Sequence, residues 1–284
     1  MKAQTLQLKG ATLYYETRGS GPVLLLIAGG GTDAGIFEGV ASFLAHDYTV
    51  VTYDPRGNSR SPLDGPPEDQ QIEVHSDDAR RLLETVADGP AAVFGNSSGA
   101  IVGLDLIARH PTLVSRVVAH EPPMLEVLPD VAKWRAFHDD VYEIYRREGA
   151  ESAMQKWVVG VGLDVVGPPP GAELPPDVAA TMKRMAGNQD LFLAHELLPF
   201  TRYVPDLSAL DAHKDRIVLA GGHDSREQLA GQSAYRPAAW LAERFGTQVV
   251  DFPGDHGGYG AQPAAFAAKL REDLKTAIDD QQKG

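Results

Sequence analysis

The run Ala91-Ala92-Val93-Phe94-Gly95-Asn96-Ser97-Ser98-Gly99-Ala100 decides the fold of this chain. Ala91 to Phe94 are apolar and predict a short buried strand. Ala100 to Arg109, interrupted only by Gly103, predict a helix stopped by His110-Pro111. Between the two lies Gly95-Asn96-Ser97-Ser98-Gly99, a Gly-x-Ser-x-Gly pattern. A strand, that pattern and a helix, in this order, place the serine on a sharp turn with strained backbone. Gly95 and Gly99 carry no side chain, so strand and helix can close on each other. The hydroxyl of Ser97 would then stand at a helix N-terminus, where backbone N–H groups favour developing negative charge. A Gly/Ser-rich turn can also simply reverse the chain or cradle a phosphate. The flanking pattern has to decide between these readings.

Before the turn, Thr5 to Leu8 and Thr12 to Thr17 alternate around Gly10 and predict a hairpin. Val23 to Ile27 is continuously apolar, as a strand buried on both faces is. A helix is expected over 36–44, a strand over 49–53 and an amphipathic helix over 71–87. After the turn come a helix over 98–109 and a strand over 114–119. From Met124 to Leu210 the rhythm changes to helical faces broken by Pro168-Pro169-Pro170 and Pro175-Pro176. The alternation then resumes with a strand over 216–220, a helix from Gln228 to Phe245, a strand over 248–252 and a helix over 263–278. Alternating strands and helices imply an α/β fold, a mostly parallel twisted sheet flanked by helices. The expected division is a core of residues 1–123 and 211–284, with a helical cap of residues 124–210 inserted after the sixth strand.

Composition bounds the function. A chain of 284 residues can bury a large core, and 43% hydrophobic content is that of an ordinary globular protein. No apolar run approaches the roughly 20 residues of a membrane span. Met1-Lys2-Ala3-Gln4-Thr5 has no apolar signal region, so a cytoplasmic location is expected. With no cysteine there is no disulfide, thiol catalysis or cysteine metal site. A formal charge of −13 argues against a sequence-independent nucleic-acid binder, which needs a basic face.

Ligands of parallel α/β sheets bind at the carboxyl ends of strands, and three further features lie there. Gly29-Gly30-Gly31-Thr32 follows the strand over 23–27 and offers bare backbone N–H groups. It lacks the Lys of a phosphate loop and the spacing of a dinucleotide loop. His256, in Phe252-Pro253-Gly254-Asp255-His256-Gly257-Gly258, follows the last strand among small residues that leave room for an imidazole. A serine hydroxyl needs such a base to take its proton. The other candidate histidines, His46, His75, His110, His138, His195 and His213, have no such setting and receive no role. Two carboxylates could orient the imidazole: Asp224, after the strand over 216–220, and Glu121, after the strand over 114–119. Asp54 and Arg56 read as a structural turn. The adjacent pairs His120-Glu121, His223-Asp224 and Asp255-His256 lack metal-ligand spacing, so no metal is expected.

Together these motifs and Tyr53-Asp54-Pro55-Arg56-Gly57-Asn58-Ser59 resemble the α/β-hydrolase family over nearly the whole chain. The resemblance implies an α/β-hydrolase fold and an oxyanion hole from the N–H groups of Gly30 and Ser98. Where the family usually has His-Gly before the glycine loop, this chain has Ala28-Gly29. Ser97-Ser98-Gly99-Ala100 and His120-Glu121-Pro122 are also similar to the fungal zearalenone lactonases, whose triad acid is a glutamate at the position of Glu121. The general family pattern places an aspartate where Asp224 stands, so Glu121 is preferred and Asp224 is the alternative.

The expected activity is that of a cofactor-free serine hydrolase of an ester or lactone, with Ser97, His256 and Glu121 or Asp224 as its triad. Relatives that open epoxides or remove halides use an aspartate nucleophile, which this elbow lacks. A perhydrolase or lyase could keep the same triad, and a ligand-binding protein could keep the fold. The expected partner is a small molecule of apolar character, with a homodimer as the candidate assembly. Trp134, Trp157 and Phe192 are the candidate substrate contacts in the cap.

Overall fold

The computed structural model describes residues 1–163, 174–226 and 233–281. Pro168-Pro169-Pro170 and the start of the helix expected from Gln228 lie outside the described residues. Eight strands form one sheet: β1 (Lys2–Leu8), β2 (Ala11–Arg18), β3 (Val23–Ile27), β4 (Thr49–Tyr53), β5 (Ala91–Asn96), β6 (Val114–His120), β7 (Ile217–Gly222) and β8 (Val250–Phe252). Their spatial order is β1-β2-β4-β3-β5-β6-β7-β8. The β1–β2 hairpin joins antiparallel to β4, and every later pairing is parallel. The last strand is shorter than expected and starts at Val250.

Successive residues of β3 face opposite layers. Leu25 and Ile27 join one buried cluster, with Val93, Ile101 and Val117. Leu24 and Leu26 join the other, with Phe37, Phe94 and Phe266. This is why the strand lacks the polar alternation of a half-exposed one. Each fully buried leucine side chain contributes about 1.5–3 kcal/mol of transfer free energy.

The helices of the core are α1 (Glu38–Leu44), α2 (Ile72–Val86) and α3 (Ser98–Arg109). Between β6 and β7 the described chain is helical: α4 (Val131–Glu148), α5 (Ala150–Val161), α6 (Pro176–Gly187), α7 (Gln189–Leu191), a π-helical turn over Phe192–Glu196, α8 (Leu197–Thr201) and α9 (Leu207–Ala212). Pro176 opens α6 at the position where its missing N–H costs nothing. Val141, Ala153, Phe192, Leu193 and Leu197 give this stretch an apolar cluster of its own. The chain returns through β7 to α10 (Tyr235–Phe245), and after β8 to α11 (Gly258–Ala261) and α12 (Pro263–Gln281).

The π turn has a visible cause. Pro199 has no N–H to return to the carbonyl of His195, four residues earlier. That carbonyl instead accepts the backbone N–H of Gln70 at 2.9 Å. The N–H of Leu197 slips to the carbonyl of Phe192, the five-residue bond of a π turn.

Candidate active site

Ser97 sits between β5 and α3 with φ 57° and ψ −129°. A Cβ on Gly95 would lie 2.3 Å from the carbonyl oxygen of Gly99, and one on Gly99 would lie 2.3 Å from that of Ile27. Both glycines are therefore required by contact between strand, turn and helix. Three described residues other than glycine have positive φ: Ser59, Ser97 and Glu121. Such backbone costs on the order of 1–3 kcal/mol per residue and persists where surrounding bonds hold it. The N–H of Ser97 is held by the carbonyl of His120 at 3.0 Å, and that of Glu121 by the carbonyl of Ala220 at 2.9 Å.

The strand ends bring Glu121 and His256 together. Glu121 Oε2 lies 2.5 Å from His256 Nδ1, and Oε1 accepts the Gly222 N–H at 2.8 Å. The carboxylate is wholly buried. Burial works to raise its pKa, but the hydrogen bond and charge of His256 outweigh it and hold it well below the usual carboxylate range. A carboxylate has no proton to give, so the hydrogen between the two groups is carried by His256 Nδ1. Asp224, the alternative acid, is exposed, and its backbone N–H bonds the carbonyl of Gly254. It does not reach His256 because the turn after β7 points it to solvent. The carboxylate beside His256 comes instead from the end of β6, which lies across β7 from β8 in the sheet.

His120 is also buried, and its Nδ1 bonds Asn96 Oδ1 at 2.8 Å. Burial lowers its pKa to about 4, so it is neutral among Phe94, Phe252 and Phe266. It is packing beneath the site.

One cavity is lined by Ser97, His256, Gly30 and Ser98 together with Trp157 and Phe192. Leu125, Val161, Leu197 and Phe200 make most of the rest of its wall apolar. Trp157 and Phe192 pack edge to face, with ring centroids 5.0 Å apart. Trp134 does not line this cavity. It is buried against Leu125, Leu128 and Phe137, because its face of α4 turns toward the chain that follows β6. Its expected role as a substrate contact is corrected to packing.

The glycine loop is fastened to the helices between β6 and β7 at three points. Glu196 Oε2 accepts the N–H of Gly31 at 3.1 Å. Asn188 Nδ2 donates to the carbonyl of Gly31 at 3.2 Å. Arg184 Nε donates to Asp33 at 2.6 Å. Glu196 is buried, and its other oxygen accepts Asn58 Nδ2 at 2.7 Å. Burial raises its pKa, the Asn58 and Gly31 bonds restrain the rise, and it comes to about 6. Sequence reading missed Glu196 and Asn188. Pro199, which lies inside α8, is the signal in the sequence that the preceding turn is irregular.

Asp54 and Arg56 hold structure. Asp54 accepts the Ala34 N–H at 3.0 Å and Arg60 Nε at 2.7 Å, and Arg56 forks onto Asp78 at 2.6 and 2.5 Å. Among the described residues no three His, Asp or Glu side chains gather as metal ligands, and no helix is long and apolar enough to cross a membrane.

A strained serine between strand and helix, an acid–imidazole pair beyond the ends of two strands and a glycine loop beside them define a class. Residues 22–157 match the family model described as the alpha/beta hydrolase fold. The chain is 39% identical over 277 residues to the uncharacterized hydrolase YraK of Bacillus subtilis, spanning 95% of each protein. This chain belongs to the α/β-hydrolase family. Among solved structures it is similar to a thermophilic esterase from Thermogutta terrifontis, at a TM-score of 0.74 and 17% identity over 97% of this chain and 99% of that one. It is also similar to a Pseudomonas aeruginosa protein provisionally described as an epoxide hydrolase, at a TM-score of 0.70 and 19% identity over 98% and 96% of the two chains. At these identities the structural likenesses speak for the fold.

Proposed function

We propose that the protein is a serine hydrolase of carboxylic esters or lactones, with Ser97 as nucleophile, His256 as base and Glu121 as the group that orients the imidazole. The observation that carries this reading is the Glu121–His256 pair, whose imidazole lines the same cavity as Ser97. Ser97 Oγ attacks the carbonyl carbon while its proton passes to His256 Nε2. The N–H groups of Gly30 and Ser98 stabilise the oxyanion, a contribution of about 3–4 kcal/mol per donor in hydrolases. Collapse expels the alkoxide, which takes the proton from His256 and leaves an acyl group on Ser97. Water, deprotonated by His256, then releases the acid and restores the serine. Every proton moves through side chains and water.

In this reading the helices between β6 and β7 act as a cap, with Trp157 and Phe192 as its aromatic substrate contacts. A serine at the elbow supports an acyl-enzyme over the aspartate chemistry of epoxide-opening relatives. A glutamate acid at the end of β6 is the feature that supports a likeness to the zearalenone lactonases; the substrate class remains ester or lactone. Turnover of a panel of aryl esters and lactones tests the reading. Ser97→Ala should abolish hydrolysis by the purified protein, and unchanged hydrolysis would defeat the assignment.

A further inference from the structure

The cavity beside Ser97 is mostly apolar, and its polar groups are few. Away from Ser97, Ser98 and His256, the polar side chains on its described wall are His138, Thr201, Ser233 and the indole of Trp157, whose Nε1–H is buried without a partner among the described residues. His138 and Thr201 have each committed a proton to a backbone carbonyl.

His138 is the clearest case. Its Nδ1 lies 2.9 Å from the carbonyl oxygen of Trp134, one turn earlier in α4. Two lone pairs cannot approach so closely without a hydrogen between them, so Nδ1 carries the proton. Burial lowers the pKa of the ring to about 4, which leaves it neutral near pH 7. A neutral imidazole protonated at Nδ1 has a bare lone pair on Nε2. Thr201 Oγ1 lies 2.6 Å from the carbonyl of Leu197, and Ser233 Oγ lies 3.4 Å from that of Val161. At 2.6 Å the Thr201 hydroxyl hydrogen points at the carbonyl and its lone pairs are left for the cavity, whereas 3.4 Å is too long to fix the hydrogen of Ser233. The side of the wall formed by α4 and α8 thus offers acceptors, from His138 and Thr201, to a ligand.

We infer that the substrate carries a hydrogen-bond donor, a hydroxyl or N–H group, on the part that lies against α4, and that His138 Nε2 receives it. His138 is then a specificity-determining residue. The inference rests on the ester or lactone reading of the site and names the kind of ester or lactone it takes. An apolar ligand leaves the lone pair of His138 unpaired in an apolar cavity, and a donor satisfies it. A methyl ether has no hydrogen to give and fails in the same way.

The test is calorimetric binding of three matched phenylalkanoate esters to the Ser97→Ala protein. They differ only in carrying a hydroxyl, a methoxyl or a hydrogen at the far end of the acyl group. The hydroxyl ester should bind about tenfold tighter than the other two. That advantage should vanish when His138→Leu is added. Equal binding across the series, no binding by any member, or an advantage that survives His138→Leu overturns the inference. Should the double variant not fold, ¹⁵N NMR of the wild-type imidazole decides. An unprotonated Nε2 that shifts on binding the hydroxyl ester supports it, and a proton resident on Nε2 overturns it. Failure of the ester or lactone reading shows elsewhere, as absence of turnover by the wild-type protein.

Discussion

At the scale of single residues, the site depends on two carbonyl contacts and one buried carboxylate. Gly95→Ala would force a Cβ to within 2.3 Å of the Gly99 carbonyl, so β5 and α3 would have to separate. The expected outcome is loss of most activity and a fall in stability of a few kcal/mol, of the size seen for overpacked or strained backbone, measured by urea unfolding. Glu121→Gln keeps the shape of the side chain but removes the charge that fixes the His256 tautomer. A fall in kcat on the order of 10⁴ is expected, as when the acid of a serine triad is neutralised. Asp224→Asn, on an exposed turn, should leave kcat within twofold of wild type. A collapse of kcat in Asp224→Asn with Glu121→Gln active would reverse the assignment of the acid.

At the scale of elements, the glycine loop takes its shape partly from the helices opposite it. Glu196 accepts the N–H of Gly31, the neighbour of the proposed oxyanion donor Gly30, and Asn188 holds the carbonyl of the same residue. Glu196→Ala removes one clamp and leaves the Gly31 N–H and the Asn58 amide without their acceptor. The expected result is a drop in kcat of about tenfold or more with a smaller change in KM, since a donor displaced from the oxyanion costs transition-state stabilisation. Glu196→Gln retains one carbonyl oxygen and should recover part of the rate. Equal losses in both variants would mean that charge, not the hydrogen bond, is what Glu196 supplies. A carboxyl with pKa near 6 in the folded protein and near 4.3 when unfolded binds its proton more tightly when folded. Its contribution to stability is full below the unfolded value and is lost as pH rises through 6. This opposes the trend set by the buried histidines, so Glu196→Gln should make the loss of stability between pH 6 and about 4.3 steeper, read by thermal unfolding.

At the scale of the whole molecule, buried histidines set the response to acid. Burial lowers the pKa of His75 to about 3, and those of His120 and His138 to about 4. An unfolded histidine titrates near 6.5, so below that pH the unfolded chain binds protons that the folded protein refuses. Stability should be full above pH 6.5 and fall steeply as pH drops toward 4. Glu121, held below the usual carboxylate range, adds to the loss as pH falls under about 4.3. Denaturant midpoints measured from pH 4 to 8 check this, and a flat profile would contradict it.

Much of this architecture was legible in the sequence because it is written locally. The continuous apolar runs of β3 and β5 and the glycines of the elbow report burial and close approach at their own positions. The partner of His256 was not legible, because Glu121 and Asp224 both follow strands, β7 and not β6 is the neighbour of β8, and only the turns after the strands decide which carboxylate faces inward. Glu196 and His138 escaped for a related reason. Each looks like an ordinary polar residue of an amphipathic helix; the partners of Glu196 come from chain more than a hundred residues away, and the cavity that His138 lines is assembled from several separate elements. Trp134 failed in the opposite sense, since an aromatic residue on a helix does not say which of two apolar volumes it fills.

The central claim is that Ser97 is a nucleophile activated by the His256–Glu121 pair. Labelling with a fluorophosphonate, located by mass spectrometry, tests it most directly. The account predicts a single adduct on Ser97, absent from Ser97→Ala and formed far more slowly in Glu121→Gln. An adduct on another residue, no adduct at all, or labelling of Glu121→Gln at the wild-type rate would contradict it.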